Sequence, residues 1–370
     1  MKSSNFGYIP ALDHLRGFAA LLVLFFHGVH FISHKIAYGT PYDPANWPRA
    51  SNPLSSLLIE GHTAVSLFFV LSGFVFTVGS FHKQLNFRGF YRNRLLRTYP
   101  LFLFFLFLGI AFHPDAFNVP GLLQSIFFLA NSETAINGGA FTFVFWSIAV
   151  EWHFYLIFPL LLFMVQRKGW APLAIIITLA IAMRVVLYYQ QADMRDISYW
   201  SIGGRIDQFL LGMLAGMYYR SRFEAGRTMD VLGALATVGV LAVLFGFNQL
   251  GGGGANNWMW IIWPDVEAAS WALFVLGYLS LARHFNKGVS SALVALGTVS
   301  YSIYLVHYVV LDAFMQRDLD TIIELSDPVG TAAINIFVFI MPVVIAVSAV
   351  TYRLIERPFL RRRRTYMQAE

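Results

Sequence analysis

The residues with the most obvious chemistry sit inside apolar runs. Residues 12–34, LDHLRGFAALLVLFFHGVHFISH, are long enough to cross a bilayer, yet they carry Asp13, Arg16, His27, His30 and His34. A charge at the centre of a membrane helix costs roughly 2.5–3.5 kcal/mol on insertion scales, so such residues read as functional. Arg16 and His27 are eleven positions apart, close to three helical turns, which puts them on one face and about 16 Å apart along the axis. One helix thus presents a cation near one surface and an imidazole near the other. An imidazole titrates near neutrality and suits proton transfer from a hydroxyl. The competing reading is a histidine that bonds a neighbouring helix. His27, His30 and His34 also share a face, but no acidic ligand accompanies them there, and no metal site is expected.

Four further motifs could join this helix. Within Trp146-Ser147-Ile148-Ala149-Val150-Glu151-Trp152-His153-Phe154-Tyr155, Glu151 could orient His27 and steady its protonated form, as carboxylates do for catalytic imidazoles. Alternatively it pairs with Arg184 or Arg205 to satisfy a buried charge. In Arg92-Asn93-Arg94-Leu95-Leu96-Arg97-Thr98-Tyr99-Pro100, the guanidinium cluster could hold phosphates bidentately, or it is only a topology signal. In Ser300-Tyr301-Ser302-Ile303-Tyr304-Leu305-Val306-His307, Tyr301, Tyr304 and His307 either line a substrate path or bond neighbouring helices. The small pair Ser72-Gly73 lets a helix or a slender ligand approach the backbone. Arg205-Ile206-Asp207 reads as an internal ion pair or as a pair facing an acceptor.

The elements that must position these residues are membrane helices. Of 370 residues 57% are hydrophobic and only 12% charged, about half the charge of a soluble domain. Mean hydropathy is +0.60. Ten apolar stretches are expected to cross a core about 30 Å thick, near 12–34, 59–81, 97–113, 143–165, 171–189, 203–219, 229–247, 261–282, 292–315 and 331–352. The piece 121–130 is too short and is expected at the surface. The fold expected is all-α and polytopic, a membrane-embedded domain over 8–360 followed by a basic tail, 361–370. No cleavable signal, internal repeat or cysteine is found, so thiolate metal sites and a cysteinyl acyl intermediate are excluded.

Orientation follows from the basic residues. One set of connections holds Lys2, Lys83, Arg88, Arg92, Arg94, Arg97, Arg167, Lys168, Arg220, Arg222, Arg227, Arg283, Lys287, Arg353, Arg357 and Arg361 to Arg364; the alternate set holds only Lys35, Arg49, Arg195 and Arg317. The asymmetry puts both termini in the cytoplasm. It also accounts for the net charge of +6 without nucleic acid. With that orientation His27, Glu151 and His307 each fall about seven or eight residues below the outer surface, roughly 10 Å deep, and are expected to line one polar cavity.

Taken together, and in this order, the motifs resemble a known family. They are Arg16 with His27, Phe68-Phe69-Val70-Leu71-Ser72-Gly73-Phe74, Arg94-x-x-Arg97 with Pro100, Trp146-Ser147 with Glu151 and Tyr155, Arg205-x-Asp207 with Gly212, Ser300-Tyr301-Ser302-x-Tyr304-x-x-His307, and Glu356-Arg357-Pro358. The set is similar to the integral-membrane acyltransferase type 3 family, over about residues 8 to 360. The resemblance implies ten helices in a bacterial inner membrane. It also implies transfer of an acyl group, expected to be acetyl, from cytoplasmic acyl-CoA to a hydroxyl of a cell-surface or lipid-linked glycan. Acyl-CoA is then a co-substrate, with no permanently bound cofactor. The family's essential basic residue and histidine fall on Arg16 and His27, and its coenzyme-binding arginines on Arg94 and Arg97. His153 stands where relatives often have glutamine. Some members carry a fused extracytoplasmic hydrolase-like domain; none follows within this sequence, so a second step would be absent or supplied in trans.

The expected site therefore has His27, Glu151 and Arg16 as catalytic residues. Arg16, Arg92, Arg94, Arg97 and Ser72 would contact the coenzyme, and Tyr301, Tyr304, His307, Arg205 and Asp207 would line the acceptor's path. The Arg16–His27 spacing is comparable to an extended pantetheine arm. No serine stands in a nucleophile elbow, which disfavours an acyl-serine. A transporter or flippase of a lipid-linked sugar is the rival reading, and a structural partner of a polysaccharide synthase a third. The flippase would not consume a thioester, and the structural partner would leave His27 replaceable at little cost.

Overall fold

A computed structural model describes residues 7–40 and 42–368; Lys2 and the last two residues of the expected tail lie outside them. The helices are α1 (Pro10–Tyr38), α2 (Thr63–Ser80), α3 (Phe87–Phe112), α4 (Phe145–Lys168), α5 (Ala171–Tyr189), α6 (Ile202–Arg222), α7 (Arg227–Gln249), α8 (Trp263–Leu281), α9 (Lys287–Thr298), α10 (Ser300–Met315) and α11 (Pro328–Leu360). Among the described residues eight helices are long and apolar enough to cross a membrane, or nine if the pair α9 and α10 counts as one bent span. The expected stretch left over, 203–219, is α6, which is 21 residues long but buries Arg205, Asp207 and Gln208 and so lacks a span's apolarity. The protein is an all-α, polytopic membrane protein.

Two spans differ from expectation in shape. The third begins at Phe87 rather than 97, because the Asn86 side chain caps it by accepting from the Gly89 amide. The ninth is broken: α9 and α10 meet at 65°. Just before the bend α9 touches the backbone of α1, where a Cβ at Gly297 would clash with the Asp13 carbonyl oxygen. Only glycine lets the two helices touch there. The Ser72-Gly73 pair serves a helix rather than a ligand at Gly73, where a Cβ would clash with the Phe209 carbonyl of α6.

The buried charges of α6 tie helices together. Arg184 on α5 donates to Asp207 (2.5 Å) and to Asp265 on α8 (2.7 Å). Arg205 donates to Ser66 on α2 (2.8 Å) and lies 3.7 Å from Glu267 on α8. Arg205 and Asp207 therefore do not pair with each other. Residues two apart on a helix point to different sides, and each finds its partner on a separate neighbour.

The two sets of connections occupy opposite ends of the bundle. At the basic end, Gln84 and Leu85 pair antiparallel with Gln368 and Met367, and Arg283 bonds Asp230. At the other end Lys35 reaches Asp318 and Asp320, and Arg49 reaches the Gln249 carbonyl. There the buried Glu60 accepts bonds from Trp47, Asn248, His62 and the Gly253 amide, pinning the glycine-rich loop onto the bundle.

Candidate active site

A cavity of about 230 Å³ runs inward from the basic end between α1, α2, α3, α4 and α10. Arg94 and Arg97 stand at its mouth because α3 starts early and carries them on its first turns. The Arg94 guanidinium lies 4.8 Å from the Phe76 ring centre, and its buried Nε has no hydrogen-bond partner among the described residues. Arg97 bonds Glu356 of α11 at 2.9 Å, and Glu356 also accepts from Ser302. Arg16 lines the same wall, paired with Asp13 at 2.9 Å. Arg92 is exposed and faces away from the cavity, since two positions on a helix turn a side chain to another side.

Deeper in, Glu151 accepts a 2.7 Å bond from Ser72, and Tyr301 donates to the Thr98 carbonyl at 2.8 Å. The inner end closes where Ser147 and Tyr304 bond at 2.5 Å, with Phe68 edge-on to the Tyr304 ring. Arg205 and Asp207 do not line this cavity; they are held in the helix ties described above.

His27 lies beyond the closed end and meets His307. His27 Nδ1 and His307 Nε2 are 2.9 Å apart, and His307 Nδ1 is 3.1 Å from the Ile303 carbonyl of its own helix. A carbonyl only accepts, so His307 carries its proton on Nδ1 and offers Nε2 as acceptor. His27 must then donate from Nδ1, which leaves its Nε2 as a free base. His307 is fully buried while His27 keeps part of its surface accessible. Phe143 and Tyr308 stand edge-on to the His27 ring, and Phe143 is 41% exposed on the far side.

Glu151 is thus not the partner of His27, nor does it pair with Arg184 or Arg205. The reason is register. α4 and α10 run antiparallel, and the Ser147–Tyr304 bond fixes them side by side. Glu151 is one turn from Ser147 toward the basic end, and His307 is one turn from Tyr304 away from it. The two are therefore about 10 Å apart in depth. Counting from the ends of apolar runs put them level because it fixes no register between α4 and α10, which the Ser147–Tyr304 bond does.

His30 and His34 do not converge with His27. His30 bonds the Ile59 carbonyl and Tyr42, and His34 bonds the Thr40 carbonyl and the Asp43 amide. Among the described residues no three His, Cys, Asp or Glu side chains stand together as metal ligands.

One cationic lining residue was missed in the sequence. Arg363, read there as one of four tail arginines, lines the mouth with Arg94 and Arg97. Burial and the neighbouring Arg97 and Arg94 push its guanidinium down to about 10, still fully charged at neutral pH. Chemically, the assembly offers a cationic mouth, a polar shaft and, past a tyrosine, a neutral imidazole base with a fixed tautomer.

The family model for the acyltransferase domain matches residues 9–353. The chain is 25% identical to the O-acetyltransferase OatA of Staphylococcus aureus, over 95% of this chain and 57% of the relative. It is 27% identical to the putative peptidoglycan O-acetyltransferase YrhL of Bacillus subtilis, over 96% and 56%. It is 26% identical to the acyltransferase MdmB of Streptomyces mycarofaciens, over 82% and 79%. The chain thus spans little more than half the length of the first two. No solved structure matches.

Proposed function

We propose the following for this chain, which belongs to the acyltransferase domain family: it moves an acyl group, an acetyl, from acyl-CoA on the cytoplasmic side of a bacterial inner membrane to a hydroxyl of a glycan or lipid-linked glycan reached from the other side. The observation that carries this reading is a cavity with guanidinium groups at one end and the His27–His307 pair just past the other. Two relatives bear O-acetyltransferase names, one of them for peptidoglycan. The membrane domain over 8–360 is the acyltransferase unit in this proposal.

The steps follow from the residues. Arg94 and Arg97 hold the donor's phosphates, and the neutral pantetheine arm enters the shaft past Arg16, Ser72 and Glu151. No charged nucleotide need enter the bilayer, which avoids the cost of burying it. Tyr304 swings off Ser147 to let the thioester reach His27. Nε2 of His27 takes the proton of the acceptor hydroxyl as its oxygen attacks the thioester carbonyl. The C–S bond breaks, and the proton passes from His27 to the leaving thiolate. Throughout, His307 holds His27 in one tautomer through Nδ1, the service an outer carbonyl or carboxylate gives elsewhere.

The test is transfer of label from acetyl-labelled acetyl-CoA in membranes holding wild type or His27→Ala at equal expression, with a mock control. Label in a glycan or lipid fraction with wild type alone supports the reading, and the labelled fraction identifies the acceptor. Equal labelling by both moves the base elsewhere. Labelling by neither, with a competent acceptor present, removes the acyl-CoA donor.

A further inference from the structure

Residues 361–368 are not a loose topology signal but a folded strap across the mouth of the cavity. The Asn93 side chain, 2% exposed, bonds both ways to the Arg364 backbone: Nδ2 to the carbonyl at 2.6 Å and Oδ1 from the amide at 3.1 Å. The Asn86 amide donates to the Tyr366 carbonyl at 2.9 Å, and the short strand Gln84–Leu85 continues the pairing with Met367–Gln368. Tyr366 is buried, edge-on to Phe90 and close over Gly89, where a Cβ would stand 2.8 Å from its own.

This register decides which arginine faces inward. Asn93 precedes Arg94, and its partner Arg364 follows Arg363, so pinning 93 to 364 brings 94 beside 363. Of the four consecutive arginines, Arg361, Arg362 and Arg364 are exposed, and only Arg363 lines the cavity. Its Nε donates to the Leu360 carbonyl at 3.3 Å, which leaves the guanidinium's other N–H groups for the mouth. Arg97 has Glu356 for a partner, whereas Arg94 rests on aromatic rings. Three guanidinium groups lining one mouth, of which Arg97 is ion-paired to Glu356, form a cradle for a multiply charged anion.

We propose that Arg363, delivered by the strap, is a donor-binding residue that completes with Arg94 and Arg97 a three-guanidinium cradle for the phosphates of the thioester donor. This rests on the acyl-CoA reading above and extends it to a residue outside the membrane helices. The chemistry recognised is a phosphate monoester or pyrophosphate, which a lipid headgroup also offers, so the test separates the two.

The experiment measures acetyl-CoA binding to the full chain, purified in detergent and then in vesicles of phosphatidylcholine with or without phosphatidylglycerol. Wild type, Arg363→Gln, Arg363→Lys and Arg362→Gln are compared, each with its melting temperature. One lost charge-assisted contact predicts roughly tenfold weaker binding for Arg363→Gln. Arg363→Lys should recover part of the loss and Arg362→Gln none of it should show. Donor lacking the 3′-phosphate reports which phosphate Arg363 meets: the Arg363→Gln penalty shrinks if it is that one and persists if it is the pyrophosphate, and both support the cradle. Equal binding by wild type and Arg363→Gln, both folded, overturns the assignment while leaving the donor reading intact. A penalty that appears only with phosphatidylglycerol present assigns the cradle to lipid and overturns it too. Folded wild type that binds no acetyl-CoA overturns the donor reading, and this inference with it.

Discussion

His27 and His307 lie with their rings 8° from parallel and their centroids 5.1 Å apart, joined by a 2.9 Å bond from Nδ1 to Nε2. The bond therefore runs in the plane of both rings, and the Ile303 carbonyl continues it at 3.1 Å. A carbonyl, a histidine and a second histidine form one line of donors and acceptors that admits a single arrangement of protons.

That line makes His27 and His307 separable by kinetics. His27→Ala should lower kcat by about 10²–10⁴, the usual worth of a general base. His307→Ala should cost roughly 10–100-fold, as the loss of an orienting partner does. His307→Gln keeps an acceptor for the Nδ1 proton and should recover part of it. Donor KM should stay within a few-fold in all three, and steady-state transfer assays with varied acetyl-CoA check the split.

Glu151 should behave differently. It bonds Ser72 inside the shaft and not the imidazole. Glu151→Gln is expected to raise donor KM more than it lowers kcat, and Ser72→Ala to change donor KM in the same direction. A Glu151→Gln variant with normal KM and a kcat as low as His27→Ala would return the carboxylate to the base.

The Ser147–Tyr304 bond separates the shaft from the imidazole. Tyr304→Phe removes it with little change in volume. Acceptor-independent hydrolysis of acetyl-CoA should then rise severalfold as water gains access to the thioester. The measurement is release of free thiol from purified protein without glycan.

Helix ties should govern stability. Arg184→Ala would strand Asp207 and Asp265, and breaking a buried pair from one side costs about 3–5 kcal/mol; the melting temperature in detergent should fall sharply. Asp265→Asn should cost much less, because Arg184 keeps Asp207. Gly297→Ala forces a Cβ onto the Asp13 carbonyl and overpacking costs about 1–3 kcal/mol, whereas Gly239→Ala, with nothing within 4 Å, should be neutral.

What could be read from sequence was what a single helix contains. The Arg16 and His27 face needed only the helical repeat, and the apolar runs needed only their length. Partner choice needed the register between helices, which no run boundary carries: Glu151 looked level with His27 until the Ser147–Tyr304 bond set α4 against α10. Arg205 and Asp207 looked like a pair because they are near in sequence, though their angular separation already argued against it. The contact beside the bend before α10 could not be seen, because it joins a glycine on one helix to a carbonyl on another. Arg363 was hidden among four identical residues whose composition says only which side of the membrane they prefer.

The pairing of Asn93 with Arg364 joins positions 271 apart in the chain. Residue 364 leaves the ribosome only after α1 to α11 have been made. The wall it completes is therefore among the last parts of the fold to close, after loop closure over the whole helical bundle. A nascent chain with its histidines already inserted would still have an unfinished mouth.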